Sequence, residues 1–242
     1  MLEATRAQLK KTSTPTIATI LFKLGLRNQF IQDVRPLALG KPTMVGEAFT
    51  LRYIPAREDL NPITVFRDPK HPQRVAIETC PEGAVLVMDS RKSARAASAG
   101  SLLITRLMVR GAAGVVTDGG FRDSPIIAKL PFPAFHNAPS APTNLTLNHA
   151  IDLNVPIGCG DVAVFPGDVV VGDDDGVMVI PAHLADQVAE EAKKMELYEL
   201  YVAEKIAEGR SIIGLYPLTS EENKMDFEDW KKGQSAFDSA FE

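Results

Sequence analysis

The most regular hydrophobic pattern in the chain consists of two short apolar runs and the amphipathic segment between them. Residues 84–88 and 114–117 are continuous apolar runs, which is the composition of strands buried on both faces. Residues 101–110 carry Leu and Met at helical spacing and are followed by Gly111, a common residue after a helix C-terminus. This pattern predicts a right-handed β-α-β unit whose two strands are parallel.

Helices are predicted near both ends of the chain, with further strands between them. Ser13 and Pro15 are typical of a helix start, and residues 182–208 have one apolar face and end at Gly209. Shorter helices are predicted over residues 2–11, 73–80 and 124–130, and strands over residues 45–54, 132–136, 145–147, 155–164, 169–171 and 177–180. The mixture predicts the α/β fold class for a single domain over residues 1–216.

Residues 217–242 have a different composition from the rest of the chain. They are polar and acidic but contain Phe227, Trp230, Phe237 and Phe241. We predict either a loosely ordered extension or an arm that packs its aromatic side chains on a neighbouring subunit.

Three consecutive aspartates, residues 173–175, lie between the last two predicted strands. Asp-Gly between β-branched runs is a turn signal, so a hairpin is favoured. A calcium loop is the alternative, although its acidic residues normally alternate with other residues.

Composition and charge exclude several classes of protein. The 242 residues carry a net charge of −5 without a basic patch, so nucleic acid is a poor partner. The chain has no run of about 18 apolar residues and no signal-type N-terminus. Cys80 and Cys159 are too few for a disulfide framework and are expected to be small buried residues. These features predict a cytoplasmic protein that does not enter a membrane.

Candidate chemistry follows directly after the second apolar run. Gly119 and Gly120 let the chain turn sharply, and Arg122 and Asp123 come next, at the edge where α/β proteins place their ligands. Arg122 can bind a carboxylate through two parallel hydrogen bonds, and Asp123 offers a hard oxygen to a divalent cation. An exposed Arg–Asp ion pair is the alternative interpretation.

A helix N-terminus predicted at the same sheet edge adds a second anion-binding group. Gly100 and Ser101 begin the helix, and the free amides of Leu102 and Leu103, together with the helix dipole, favour an anion. An ordinary helix capped by Ser101 is the alternative. We expect Arg122 and these amides to bind one carboxylate, because both lie at one edge of a parallel β-α-β unit.

This arrangement suits a 2-oxo acid beside a divalent cation. Its carboxylate would be held by Arg122 and the amides, and its 2-oxo oxygen would face Mg²⁺ or Mn²⁺ held at Asp123. The cation would stabilise the enolate that forms when the C3–C4 bond breaks, and a water that it polarises would transfer protons. The sequence singles out no lysine for Schiff-base chemistry.

Four segments together carry a family resemblance: GAAGVVTDGGFRD at 111–123, GSLL at 100–103, PGDVVVGDDDGVMVIP at 166–181 and GRSII at 209–213. Over roughly residues 14–216 the chain resembles the RraA-like family. That family includes the regulator of ribonuclease E activity and the 4-hydroxy-4-methyl-2-oxoglutarate and 4-carboxy-4-hydroxy-2-oxoadipate aldolases. The resemblance implies a swivelling β/β/α core and a homotrimer or homohexamer with sites between subunits. It also implies a divalent-metal pyruvate aldolase that decarboxylates oxaloacetate.

The resemblance also implies roles for individual residues. Arg122 corresponds to the clamp for the pyruvate carboxylate and Asp123 to the direct metal ligand. Family aldolases carry an acidic residue twenty-one positions before the arginine, where this chain has Ser101, so either metal binding is weaker or the substrate differs. Glu199, on the long predicted helix, corresponds to an acidic residue that helps to hold the water shell of a neighbouring subunit's metal. A solvated surface glutamate is the alternative.

Two histidines receive different expectations. His136, at the end of a short predicted strand, is a candidate contact for the distal part of the substrate, with a purely structural role as the alternative. His71 lies between two prolines with no second histidine nearby in the sequence, so we predict an exposed loop residue.

Three functions are compatible with these features. The leading one is a metal-dependent lyase that cleaves a 4-hydroxy-2-oxo acid to pyruvate. The alternatives are a non-catalytic protein that binds and regulates a ribonuclease, and a hydrolase of a 2,4-dioxo acid that uses a metal-bound water in the same pocket.

Overall fold

The structure is a computed structural model that describes the backbone of residues 1–238 and the side chains of residues 1–233. The side chains of Phe237 and Phe241, which belong to the predicted arm, lie outside the described residues. The chain forms two compact units, Met1–Glu190 and Glu191–Glu242. The predicted boundary between a domain over residues 1–216 and an extension over residues 217–242 rests on the extent of the family resemblance, and it stays a prediction.

Helices occupy most of the positions that the sequence pattern predicts. The α-helices are α1 (Glu3–Leu9), α2 (Thr14–Lys23), α3 (Pro72–Thr79), α4 (Ser101–Val109), α5 (Ser124–Ile127), α6 (Ala185–Ala207) and α7 (Glu221–Asp238). Short 3₁₀ helices span Ile63–Arg67, Asn144–Thr146 and Ala182–Leu184. The Ser13 hydroxyl accepts a hydrogen bond from the Thr16 amide, which caps α2 as the sequence predicts.

Strands fill most of the chain between α2 and α6. They are β1 (Arg35–Pro36), β2 (Met44–Pro55), β3 (Val85–Asp89), β4 (Ala97–Ala99), β5 (Gly114–Thr117), β6 (Gly120–Phe121), β7 (Ala134–His136), β8 (Ala138–Pro139), β9 (Asn148–Leu153), β10 (Ile157–Cys159), β11 (Val162–Val164), β12 (Val169–Asp173) and β13 (Gly176–Ile180). The α/β fold class is confirmed.

The main sheet has eight strands and is nearly closed. Its order is β1-β7-β5-β3-β2-β12-β13, with β9 paired to β2, and a bridge between Phe30 and Met178 connects the segment before β1 to the last strand. β3 and β5 run parallel with Val85 opposite Gly114, so the predicted β-α-β unit is confirmed. β12 and β13 form the predicted hairpin, with Asp173 opposite Gly176.

The main sheet separates two apolar cores. Leu86 and Met88 of β3 pack in one core, which α3 and α4 also line. Val85 and Val87 pack in the other core, which contains residues of β10 to β13. Alternate side chains of one strand are therefore buried on opposite faces, which explains the continuous apolar run at this position.

A second, smaller parallel sheet lies next to the candidate residues Arg122 and Asp123 in the sequence. β4, β6 and β8 pair in this order, and each follows a strand of the main sheet in the chain. The segment 90–99, whose small and basic composition resembles a linker, therefore contains a strand. The three residues of this strand, Ala97–Ala99, are all buried and have small side chains.

Other details differ from the sequence prediction. A strand is expected at residues 145–147, but a 3₁₀ helix occupies Asn144–Thr146 and the strand begins at Asn148. The predicted bent strand over 155–164 is a hairpin of β10 and β11. No helix of the described residues combines the length and the apolar character that crossing a membrane requires.

The second unit has its own aromatic core. Tyr201 and Leu215 are buried there, and Phe227 and Trp230 of the C-terminal helix pack against this core. The Tyr201 hydroxyl donates a hydrogen bond to an Asp226 carboxylate oxygen at 2.9 Å. Phe227 and Trp230, two of the aromatic residues of the predicted arm, therefore pack against their own chain.

Asp118 joins three segments at the carboxyl end of β5. Its carboxylate accepts hydrogen bonds from the amides of Ser90 at 2.6 Å, Lys92 at 3.1 Å and Gly160 at 3.2 Å. Burial raises the pKa of Asp118 to about 6, although these amide hydrogen bonds act in the opposite direction. The buried Asp118 carboxylate therefore stabilises the turn after β5, because it accepts hydrogen bonds from three amides.

Replacing Asp118 with alanine should lower the free energy of unfolding by about 3 kcal/mol, because two buried hydrogen bonds and one part-buried hydrogen bond lose their acceptor. Urea unfolding followed by circular dichroism measures the change. Asp59→Ala is the control, because Asp59 is exposed and paired with Arg57, and it should change the stability by less than about 1 kcal/mol. Equal effects of the two substitutions would contradict the role assigned to Asp118.

Candidate active site

A cleft of about 360 Å³ lies in the first unit and contains most of the predicted site residues. The start of α4, the turn after β6, the 3₁₀ helix Ile63–Arg67, the start of α3 and the segment 143–144 form its walls. It is lined by Ile63, Phe66, Gln73, Arg74, Ala97, Ala99, Gly100, Leu102, Leu103, Arg122, Asp123, Thr143 and Asn144.

Arg122 and Asp123 reach this cleft because the small parallel sheet places them beside the start of α4. The Arg122 amide donates to the Ala99 carbonyl at 3.0 Å, which continues the pairing of β4 with β6. A Cβ atom at Gly100 would lie 2.7 Å from Arg122 Cγ and 3.0 Å from Asp123 Oδ2. Glycine is therefore required at residue 100 for this close approach.

The Asp123 carboxylate lies at the N-terminus of α4. Asp123 Oδ2 accepts hydrogen bonds from the Ser101 amide at 3.2 Å and the Ser101 hydroxyl at 3.1 Å, and it lies 3.9 Å from Arg122 Nε. Asp123 itself has the left-handed backbone conformation, with φ at 59°, and is the N-cap residue of α5. The structure thus brings Gly100, Ser101, Arg122 and Asp123 together, as the sequence predicts.

One of the two predicted substrate-binding amides, that of Leu103, forms a hydrogen bond within its own helix. The Leu103 amide donates to the Gly100 carbonyl at 3.1 Å, so it is engaged within the first turn of the helix. The Leu102 side chain is 85% exposed at the cleft, where it forms an apolar rim. The expectation of a free amide at Leu103 is corrected, because a tight first turn of α4 uses this donor.

His136 does not belong to the cleft. It is the last residue of β7, its ring stacks on Phe121 with centroids 5.7 Å apart, and it is absent from the residues that line the cleft. Burial lowers the pKa of His136 to about 4. The expected contact with the distal part of a substrate is thus not supported by its position, and the structural alternative explains the packing of His136.

Glu199 lies on α6, in the second unit. Its carboxylate accepts a hydrogen bond from the Tyr216 hydroxyl at 3.1 Å. The role predicted for Glu199, at the metal of a neighbouring subunit, requires an assembly of several chains and stays a prediction.

The sequence reasoning missed one wall of the cleft, which the 3₁₀ helix Ile63–Arg67 and the start of α3 provide. His71 is 3% exposed, and its ring lies 5.6 Å from that of His149, so the prediction of an exposed loop histidine without a second histidine nearby is wrong. Burial, followed by the proximity of His149, lowers the pKa of His71. The β9 strand brings His149 to this place, and no local sequence pattern indicates such a pairing.

The two cysteines have no role in the cleft. Both are buried, and burial raises the pKa of Cys80 to about 12 and that of Cys159 well above its usual range. Both thiols therefore stay protonated near neutral pH, as small buried residues.

The donor set at Asp123 fits a hydrated divalent cation better than a fully protein-coordinated one. Within the described residues, no group of three or more His, Cys, Asp and Glu side chains is arranged to hold a metal ion. The partly exposed Asp123 carboxylate and the Ser101 hydroxyl are both hard oxygen groups. Mg²⁺ commonly uses one or two carboxylates and keeps several of its waters, so one carboxylate facing an open cleft suits it.

The fold and the site define an α/β protein with a cleft at the carboxyl edge of parallel strands, lined by two arginines and one aspartate. Residues 14–179 match the RraA-like family, described as Aldolase/RraA, and the chain belongs to this family.

Relatives and solved structures agree with this assignment. A Halalkalibacterium halodurans protein named "Putative 4-hydroxy-4-methyl-2-oxoglutarate aldolase" is 37% identical over 114 residues, which are 47% of this chain and 54% of that protein. The chain thus spans about half the length of this curated relative. Streptomyces coelicolor RraAS2, described as an unusual member of the RNase ES inhibitor RraA protein family, has a TM-score of 0.73 and 28% identity, with coverage of 83% of this chain and 96% of that one. An uncharacterized protein from Pseudomonas syringae has a TM-score of 0.76 at 22% identity, with coverage of 89% and 98%, and supports the fold.

The lowered pKa of His136 predicts a pH dependence of stability. The unfolded chain binds a proton near pH 6.5 that the folded chain binds only near pH 4, so stability falls as the pH is lowered through this window. Between pH 7.5 and 5, His136 should account for a loss of about 2 kcal/mol, which His136→Leu removes.

Urea unfolding at the two pH values measures this loss. His183→Leu is the matched control, because His183 is exposed and should leave the pH dependence as it is in the wild type. An unchanged pH dependence in His136→Leu would contradict the assignment.

Proposed function

We propose that this protein is a divalent-metal-dependent lyase that cleaves a 4-hydroxy-2-oxo acid and releases pyruvate. One observation carries the proposal: the Arg122 guanidinium and the Asp123 carboxylate lie together at the N-terminus of α4, in one open cleft. The aldolase name of the Halalkalibacterium halodurans relative supports the same class of reaction.

Arg122 binds the carboxylate of the 2-oxo acid in this proposal. Its guanidinium is half-exposed and offers two parallel N–H donors, a geometry that matches a carboxylate. The N-terminus of α4 adds a favourable field for the same negative charge. These two groups orient the substrate, so that its 2-oxo oxygen faces Asp123.

Asp123 holds Mg²⁺ or Mn²⁺ in this proposal, with Ser101 positioning its carboxylate. When bound, the cation supplies Lewis-acid polarisation of the 2-oxo carbonyl. No histidine or lysine of the described residues lines the cleft, so we assign neither a side-chain base nor a Schiff-base lysine. Two further parts of the proposal come from the family resemblance. In a homotrimer or homohexamer, Glu199 of a neighbouring subunit helps to hold the water shell of the metal, and the enzyme also decarboxylates oxaloacetate.

A protein that regulates a ribonuclease is the second candidate. The structural likeness to RraAS2 over 83% of this chain favours it, because the description of that protein names an RNase ES inhibitor family. Binding of a protein partner would require neither a metal nor Arg122. Retention of partner binding by Arg122→Gln, in a preparation without lyase activity, would support this candidate over the lyase.

Removal of the Asp123 carboxylate should strongly reduce lyase activity. Pyruvate release from a panel of 4-hydroxy-2-oxo acids and oxaloacetate should require Mg²⁺ or Mn²⁺, and Asp123→Ala should lower it by about 100-fold or more. A lactate dehydrogenase-coupled assay measures pyruvate. Asp161→Ala is the control, because Asp161 is exposed, pairs with Lys92 and lies outside the cleft.

Activity that survives both EDTA and Asp123→Ala would refute the lyase proposal. Analysis of the second product separates the hydrolase alternative. Aldol cleavage leaves a carbonyl compound, whereas hydrolysis of a 2,4-dioxo acid leaves a carboxylic acid.

Ser101→Asp should strengthen metal binding. A second carboxylate within hydrogen-bond distance of Asp123 Oδ2 should lower the Mn²⁺ dissociation constant by about tenfold, because it adds negative charge next to the ion. Isothermal titration with Mn²⁺ measures the constant. Ser101→Ala removes the hydroxyl without adding charge and should not tighten binding. Equal Mn²⁺ affinity in Ser101→Asp and the wild type would show that residue 101 does not set the metal affinity.

A further inference from the structure

We infer that Arg74 is a specificity-determining residue, which binds a second carboxylate at the end of the substrate remote from its 2-oxo acid group. The inference rests on the proposed function, because it assumes that Arg122 binds the first carboxylate. It extends that proposal to a wall of the cleft, formed by α3 and the 3₁₀ helix Ile63–Arg67, which the sequence reasoning did not consider.

Arg74 has no counter-ion among residues 1–233, whose side chains the structure describes. It is half-buried and lines the same cleft as Arg122. Within the described residues, no carboxylate oxygen lies within 4.0 Å of its guanidinium, whereas Arg106 on α4 pairs with Glu78 at 2.8 Å. Partial burial of an unpaired charge is unfavourable, so an anionic group that enters the cleft would find Arg74 available.

The Arg74 guanidinium is also held in place before any ligand binds. It lies over the Phe66 ring, with Cζ 4.7 Å from the ring centroid, and Phe66 lines the cleft as well. This cation–π contact limits the motion of a long side chain and leaves the N–H groups at its edge free to bind an anion.

The neighbouring residue fixes the helix that carries Arg74. Gln73 Nε2 donates to the Ser98 carbonyl at 2.6 Å, and this carbonyl also accepts a hydrogen bond from the Tyr53 hydroxyl at 2.9 Å. Because a carbonyl oxygen can only accept, the amide orientation of Gln73 is unambiguous. The buried His71 precedes the first turn of the same helix. Arg74 therefore projects from a fixed helix start, which lowers the entropic cost of binding.

A matched pair of ligands tests the inference without any turnover. 2-Oxoglutarate and 2-oxopentanoate have the same number of carbons and differ in having a terminal carboxylate or a terminal methyl group. Neither carries a 4-hydroxyl group, so neither undergoes aldol cleavage. In isothermal titrations with Mg²⁺ present, the wild type should bind 2-oxoglutarate about tenfold to hundredfold more tightly, which corresponds to one charge-assisted carboxylate contact.

Arg74→Gln should remove this preference and leave 2-oxopentanoate binding unchanged, and Arg74→Lys should retain part of it. Arg67→Gln is the matched control, because Arg67 belongs to the adjacent 3₁₀ helix but is exposed and outside the cleft lining. Thermal melts of each variant check folding.

Three results would overturn the inference: equal binding of the two acids by the wild type, an undiminished preference in Arg74→Gln, or no binding of either acid. If the preference for 2-oxoglutarate depends on Arg74 but no pyruvate is released from any substrate, only the lyase proposal is contradicted. The two proposals therefore fail in distinguishable ways.

Discussion

The contact between Asp123 and the N-terminus of α4 is the interaction on which the candidate site depends. Oδ2 of Asp123 accepts from both the amide and the hydroxyl of Ser101, which places one negative charge at the positive end of the helix. The same contact brings the preceding guanidinium of Arg122 to the cleft. The guanidinium and the carboxylate are neighbours because Arg122 and Asp123 are consecutive residues. Hydrogen bonds from Ser101 then hold the Asp123 carboxylate at the helix N-terminus.

Backbone geometry makes this contact possible. Gly100 has no side chain to collide with Arg122 and Asp123, and the left-handed conformation of Asp123 turns the chain into α5 immediately after the contact. The small parallel sheet fixes the two segments relative to each other, since the amide of Arg122 is bonded to Ala99. The positions of Arg122 and Asp123 therefore depend on a main-chain hydrogen bond and on the absence of a side chain at Gly100.

Much of this arrangement follows from local sequence pattern. Continuous apolar runs predict buried parallel strands, and in a parallel β-α-β unit the end of one strand and the start of the helix lie at the same edge. That reasoning places Arg122 and Asp123 beside Ser101 without any tertiary information. Resemblance adds the swivelling β/β/α topology, which periodicity alone does not distinguish from other α/β folds.

Sequence reasoning failed where tertiary packing overrides local character. Residues 55–72 are rich in proline and charged residues, which is typical of an exposed loop. His71 is nevertheless buried against His149, a residue that β9 brings from 78 positions further along the chain. Arg74 escaped notice for the same reason, because its place in the cleft depends on that packing. His136 shows the opposite error. It ends β7 as expected, but its ring stacks on Phe121 and it is not one of the residues that line the cleft.

The charges of the cleft give the strongest constraint on what it binds. Two arginines, Arg74 and Arg122, and one aspartate, Asp123, are the charged residues of the described lining, so the cleft carries a net charge of +1 in a chain whose net charge is −5. A divalent cation at Asp123 would raise this local charge further. An uncharged ligand would leave that excess positive charge uncompensated in a partly buried space, which is unfavourable. A ligand with two carboxylates compensates it at both arginines, and the electrostatics of the cleft therefore favour a diacid over a 2-oxo monoacid of similar size.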